Sequence, residues 1–258
     1  MPGTGPDART TPAAGATPRG PACSFVIPAH DEAALLGDTL SALQAAADSL
    51  QLDYEVVVVD DASTDDTAGI ARRAGTRVLQ VSHRHIAATR NAGAGVARGE
   101  RLVFVDADTR LDATVLSAAI AAMDAGAVGG GCAVRLAGKV RLTERGFTAL
   151  VMQAFRLTGI GPGCFLFCTP EAFEAAGGFD ERLYAAEDVA FSRALARLGR
   201  FAILREHVVT SDRKLRTFGL PAHLRLALRL LLRGRRTLES REHLGLWYAA
   251  RRHKPPRP

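Results

Sequence analysis

Asp106 and Asp108, separated only by Ala107, close the apolar run Leu102, Val103, Phe104 and Val105. Two carboxylates so close repel unless a cation or a shared proton lies between them. Residues i and i+2 of a strand point to the same side, so both acids could meet one ion. Hard oxygen ligands at that spacing suit Mg²⁺ or Mn²⁺, which retain waters and draw further ligands from a diphosphate. An Asp-x-Asp is equally an ordinary turn at a strand end, so its meaning rests on its companions. Asp60 and Asp61 end the Val-rich run "YEVVVVDD", and Asp31 and Glu32 lie just past Pro28 and Ala29 in "FVIPAHDE". Arg90 and Asn91 fall in "TRNAGAGVARGE", which leads into the Asp106 run. Glu187 and Asp188 open the helical stretch "EDVAFSRAL", where acids also serve simply to complement a helix N-terminus.

The elements around these residues alternate. "SFVIP" (24–28), "YEVVVVD" (54–60), "TRVLQV" (76–81) and "RLVFVD" (101–106) read as strands. Helical stretches follow them at 32–50, around 70–74, at 86–97 and at 114–125. Runs as continuous in Val as 56–59 indicate strands buried on both faces, as in a parallel sheet. The rhythm predicts an α/β fold, a Rossmann-like sandwich with a mostly parallel central sheet, helices on both faces and ligands at the carboxyl strand ends. Beyond residue 128 the spacing predicts a strand at 129–136, a helix at 142–157, and a strand within 161–173 followed by a helix capped by Thr169 with Pro170 in its first turn. A helix at 188–198 and a strand pair at 201–210 complete the core.

Other chemistries fit less well. An EF-hand loop beginning at Asp106 needs Gly and Glu where Leu111 and Ser117 stand. "DADT" matches the short nucleophile motif of haloacid-dehalogenase phosphohydrolases, but that motif belongs on a first strand and three strands precede it here. Gly93, Gly95 and Gly99 precede a strand instead of following one, the reverse of a dinucleotide fingerprint, and close helix–sheet packing accounts for them.

Composition sets the outer bounds. The 258 residues are 47% hydrophobic and 23% charged, as in ordinary globular domains. The net charge of +6 is concentrated after residue 205. Cys23, Cys132, Cys164 and Cys168 have no zinc spacing and read as reduced and mostly buried, in keeping with a cytoplasmic protein. Residues 1–22, rich in Pro, Gly, Ala and Thr, read as a disordered leader without a signal-peptide core, and no apolar window is long enough to span a bilayer.

Taken in order, "FVIPAHDEAALL", "VVVVDDASTDDT", "RNAGAGVARGERLVFVDADTRLD", "GGFDERLYAAEDVAFSRAL" and "VVTSDRK" resemble the family 2 glycosyltransferases with the GT-A fold, over residues 23–215. The resemblance implies a set of roles. Pro28, Ala29 and Glu32 would border a nucleotide, Asp61 or Asp60 would hydrogen-bond its base, and Arg90 would help hold it. Asp106 would approach ribose and metal, and Asp108 would bind the Mg²⁺ or Mn²⁺ bridging the diphosphate. Asp188, with Glu187 as understudy, would act as general base in an inverting displacement. Gly177 and Gly178 would allow a tight turn on the acceptor side, with Asp180 positioning the acceptor. The alternatives are a Mg²⁺-dependent phosphohydrolase or an inactive sugar-nucleotide-binding module.

His207 stands where some GT-A enzymes place a third metal ligand, and Asp212 competes for that role. Arg213 and Lys214 could clamp a diphosphate, while His83, Arg84 and His85 could face the donor or simply line a solvated loop. The extension 216–258 carries Arg225, Arg229 and Arg233 at four-residue spacing with leucines elsewhere around the helix. Such a helix suits peripheral contact with an anionic membrane, consistent with a lipid-linked acceptor, or packs its leucines on the domain. A glycan or small-molecule acceptor fits as well. Aromatic residues do not interleave with the basic stretch, which argues against nucleic acid.

Overall fold

The computed structural model describes residues 20–137 and 161–211. The expected helix at 142–157, Asp212, Arg213, Lys214, the basic extension and nearly all of the leader lie outside the described residues. Residues 21 and 22 already belong to the domain, since Ala22 N donates to the Asp53 carbonyl and Glu100 N to that of Pro21.

The chain order is β1 (Cys23–Ala29), α1 (Leu36–Ser49), β2 (Tyr54–Asp61), α2 (Thr67–Arg73), β3 (Arg77–Val81), α3 (Ile86–Ala94), β4 (Leu102–Val105), β5 (Thr109–Arg110), α4 (Ala113–Asp124), β6 (Gly129–Leu136), β7 (Phe165–Cys168), α5 (Pro170–Ala175), α6 (Glu187–Leu198) and β8 (Phe201–Thr210). One eight-stranded sheet runs β3-β2-β1-β4-β7-β6-β8-β5. The β3-β2-β1-β4 half is parallel, β7 is antiparallel to both its neighbours, and β8 is parallel to β6. Residues 201–210 form one strand and not the expected pair, because "FAILREHVVT" contains no Gly, Pro or Asn to turn the chain.

The continuous apolar runs are explained by strict alternation. Phe25, Ile27, Val56, Val58, Val103 and Val105 pack with Leu36, Leu40, Leu43, Val115 and Leu116, from α1 and α4. Val26, Val57, Val59, Leu102 and Phe104 face the other way, onto Ala87 of α3, Ala172 of α5 and Phe191 and Leu195 of α6. With a helical layer on each face, period-2 side chains are apolar throughout. Gly93 lets α3 lie close on the sheet: a Cβ there would run into Val26 and, at 2.8 Å, Val59. That contact sets the height of α3, and therefore of Arg90, above the strand ends. Among the described residues no helix is long and apolar enough to cross a membrane.

Candidate active site

The parallel half of the sheet brings the ends of β1, β2 and β4 to one edge, as their register requires. Pro28 and Ala29 are buried at the end of β1, and the backbone beyond them is laced to the β2 loop. Asp31 N donates to Ser63 Oγ at 3.0 Å, Glu32 N to Thr67 Oγ1 at 2.9 Å and Ala33 N to Asp65 at 3.0 Å. Asp31, Ala62 and Arg84 all adopt left-handed backbone, with φ of 53°, 55° and 51°. Three such non-glycine residues on one edge are a concentration expected at a functional site.

Asp61 organises this edge from below. Its carboxylate accepts from Arg84 N at 2.7 Å, His85 N at 3.0 Å and Thr89 Oγ1 at 2.8 Å. Burial raises its pKa, but the Arg84 amide, Thr89 hydroxyl and His85 amide outweigh it, holding the carboxyl below the usual range. Asp60 is also buried, accepting from Ser63 N and Gln80 Nε2 at 3.3 Å each. Above them Arg84 Nη1 donates to His30 Nε2 at 2.7 Å, so the His30 proton sits on Nδ1 and is donated to the Asp61 carbonyl at 2.8 Å.

The Asp-x-Asp is a turn continuing β4. Asp106 N donates to the Cys164 carbonyl at 3.1 Å, extending the β4–β7 ladder by one rung, and Thr109 N closes the turn on the Asp106 carbonyl at 3.0 Å. Asp106 and Asp108 are partly exposed while Ala107 between them is buried. Asp108 Oδ1 accepts from Thr210 Oγ1 at 3.3 Å, tying the turn to the end of β8.

Arg90 lies between this turn and α6. Its guanidinium donates to Asp106 Oδ1 at 2.8 Å, Glu187 Oε1 at 2.8 Å and the Gly163 carbonyl at 2.9 Å. It also stacks on Phe179, 5.2 Å from the ring centroid. The Arg90 side chain is 2% exposed, its guanidinium taken up by the Asp106 and Glu187 carboxylates and the Gly163 carbonyl. Gly163 connects the network to Asp188: its amide hydrogen-bonds the Asp188 carboxyl, and a Cβ there would come within 2.6 Å of Asp188 Oδ2. Burial, then the neighbouring Glu187 charge, pushes Asp188 up to about 7, against the lowering effect of Arg90 and the Val189 and Gly163 amides. Asp188 Oδ1 accepts from Val189 N at 2.8 Å, so helix-end complementation and site membership coincide in one residue. An acid near 7 can exchange a proton at neutral pH.

Asn91, one residue along α3, was given no role by the sequence. Its Nδ2 donates to the Phe179 carbonyl at 2.9 Å and Glu181 at 2.8 Å, and its Oδ1 accepts from Phe179 N at 2.9 Å. This grip holds the turn of Gly177 and Gly178, whose φ values are +77° and +67°. Asp180 at the end of that turn is bracketed by Arg182 Nε and Nη2, both at 2.8 Å. Only the adjacency of Asn91 to Arg90 hinted at this; nothing marked Gly163.

His207 does not join the Asp-x-Asp. It pairs with Ala133 within the sheet, three residues short of Thr210, roughly 10 Å along the strand at the usual rise. Among the described residues no three His, Cys, Asp or Glu side chains converge as a metal-binding group. The two carboxylates at 106 and 108 nevertheless fit a hard divalent ion that takes only one or two protein ligands and completes its shell with phosphate and water.

Comparison with known proteins places this geometry in context. The family described as Glycosyl transferase family 2 matches residues 24–174. Validoxylamine A glucosyltransferase of Streptomyces hygroscopicus subsp. jinggangensis is 39% identical over 99 residues, 36% of this chain and 23% of the relative. Undecaprenyl-phosphate 4-deoxy-4-formamido-L-arabinose transferase of Edwardsiella ictaluri is 37% identical over 94 residues, 33% of this chain and 28% of the relative. The chain thus spans about a quarter of the length of these relatives. Among solved structures, mannosyltransferase PcManGT from Pyrobaculum calidifontis, in complex with GDP-Man and Mn²⁺, has a TM-score of 0.63 at 22% identity, covering 89% of this chain and 74% of that one. That likeness establishes the fold.

Proposed function

The chain belongs to glycosyl transferase family 2, and from that premise we propose that it transfers a sugar from a nucleotide-diphosphate sugar to an acceptor hydroxyl, with inversion. Membership in this family displaces the phosphohydrolase alternative. The observation that carries the reading is the continuous network Asp106–Arg90–Glu187 and Gly163–Asp188, which ties the Asp-x-Asp turn to a neutral-range acid at the start of α6. Asp188 takes the acceptor O–H proton as that oxygen bonds to the anomeric carbon. The bond from that carbon to the diphosphate breaks, and its electron pair leaves with the nucleoside diphosphate. One base and one displacement give inversion. Asp106 and Asp108 would hold Mg²⁺ or Mn²⁺, which supplies charge stabilisation to the departing diphosphate. The residues bordering Asp60, Asp61 and Glu32 form the donor side, and the Gly178–Asp180 turn the acceptor side. PcManGT with GDP-Man and Mn²⁺ supports the donor class and the ion, and the two curated relatives support small-molecule and lipid-linked acceptors.

The test is incubation with labelled UDP-, GDP- and dTDP-sugars with and without Mn²⁺. Slow, metal-stimulated release of nucleoside diphosphate from one donor is expected. Binding without turnover of any donor, in the presence of candidate acceptors, would reduce the protein to a sugar-nucleotide-binding module. A second expectation arises at Gly163. In Gly163→Ala the new methyl group displaces the Asp188 carboxyl. Turnover should fall roughly 10²-fold, the scale of an ångström misplacement, with donor KM little changed in initial-rate assays.

A further inference from the structure

We propose that Arg90 is a positioning residue that joins the donor-side carboxylate Asp106 to the acceptor-side helix α6, with Glu187 as its fixed counter-ion and not as an alternative base. The inference rests on the glycosyl-transfer reading for what it positions, but its geometry stands without it. Glu187 Oε1 is held at 2.8 Å by Arg90 Nη1 in a side chain only 9% exposed. An acceptor hydroxyl would have to compete with a buried guanidinium for that carboxylate, whereas Asp188 next to it carries no ion pair among the described contacts.

Arg90 contacts both sides through separate nitrogens, Nη2 to Asp106 and to Gly163 and Nη1 to Glu187. A planar guanidinium can hold these partners in one plane, which a lysine ammonium cannot. The charges facing Asp188 are Glu187 on its own helix and Arg90 from α3; Asp106 lies beyond Arg90, and the Gly163 and Val189 amides complete its surroundings. Losing Arg90 leaves Glu187 uncompensated beside Asp188, so the two acids would share a proton more tightly.

The experiment is a pH titration of the Asp188 side-chain carbon by NMR in the ligand-free protein, assigned with Asp188→Asn. Wild type, Arg90→Gln, Glu187→Gln and the double variant are compared, together with the pH dependence of kcat/KM. Arg90→Gln should move the Asp188 titration and the acid limb up by about one pH unit. Glu187→Gln should move both down, and the double variant should return to the wild-type position or below. An unchanged titration in Arg90→Gln, with the loss confined to donor KM, would overturn the proposal in favour of direct nucleotide contact. A shift that persists in the double variant would also overturn it. If Arg90→Gln does not fold, Glu187→Gln and the charge-balanced double variant decide, and a titration unmoved in Glu187→Gln counts against the proposal. Because the titration needs no donor, its outcome is separable from failure of wild type to turn over any sugar nucleotide.

Discussion

Replacing Asp188 by Asn should abolish most of the activity and, above neutral pH, raise the melting temperature. The first effect follows from losing a general base, which is worth about 10²–10⁴-fold; a fall in kcat of about 10³-fold, with donor KM changed only a few-fold, is expected in initial-rate assays. The second follows from the direction of the Asp188 shift. Its carboxyl is pushed from 3.8 to about 7 in the fold. A raised folded value means that the neutral acid stabilises the native state fully below the unfolded value, and that this contribution is lost as pH rises through about 7. At pH 8 the wild type therefore carries an ionised, poorly solvated carboxylate beside Glu187. Asn removes that charge while its Oδ1 can still accept from Val189 N, although it offers less to the Gly163 amide. A gain on the order of 2 kcal/mol at pH 8 is expected, some 5 °C in a domain of this size. The gain should shrink toward zero near pH 4. A melting series in pH measures it, and an equal effect at both ends of the series would show that Asp188 does not titrate in this range.

That trade of stability for a reactive acid explains which parts of the site were legible in the sequence. Apolar runs fixed the elements, because a strand covered on both faces must be apolar at every position, as at Val56–Val59. Acids at the ends of those runs were legible as candidates for the same reason: burial leaves them only the strand terminus. The placement of Arg90 was not legible. A charged residue in an Ala- and Gly-rich helix has the same signature whether it points to solvent or bridges a buried and a partly exposed carboxylate. The choice is made by Gly93, which lowers the helix onto Val26 and Val59, and by partners 16 and 97 residues away. Gly163 was hidden for a related reason, since its backbone alone contacts Arg90 and Asp188. His207 shows the converse: its position in β8 was readable, but the register that seats it opposite Ala133 was not.

The donor edge depends on Asp61 in a way that predicts a large structural effect. Asp61→Ala would leave the amides of Arg84 and His85 without their acceptor beneath a loop whose backbone at Arg84 is already left-handed, at φ 51°. Thr89 Oγ1 would keep its second bond, to the His85 carbonyl at 2.8 Å. Hydrogen bonds to a charged group are worth about 1.5–3 kcal/mol each, and orphaned buried donors cost a similar amount. A loss of about 3–5 kcal/mol is therefore expected, roughly 10 °C in melting temperature for a domain of this size. The sign with pH is opposite to that at Asp188. A carboxyl held below its ordinary 3.8 stabilises the fold above that value and loses the contribution as pH falls through its lower native value. The deficit of Asp61→Ala should thus be full at pH 7 and narrow only in acid, below about pH 4. Donor KM should rise at least tenfold, because the backbone at 84–85 loses its anchor and carries with it Arg84, whose guanidinium donates to His30. Asp61→Asn gives the graded case, retaining one acceptor oxygen but setting an amide donor against donors, so its melting temperature should fall between those of the wild type and the alanine variant. A donor KM that stays at the wild-type value in a folded Asp61→Ala protein would detach this loop from the nucleotide and confine Asp61 to the scaffold.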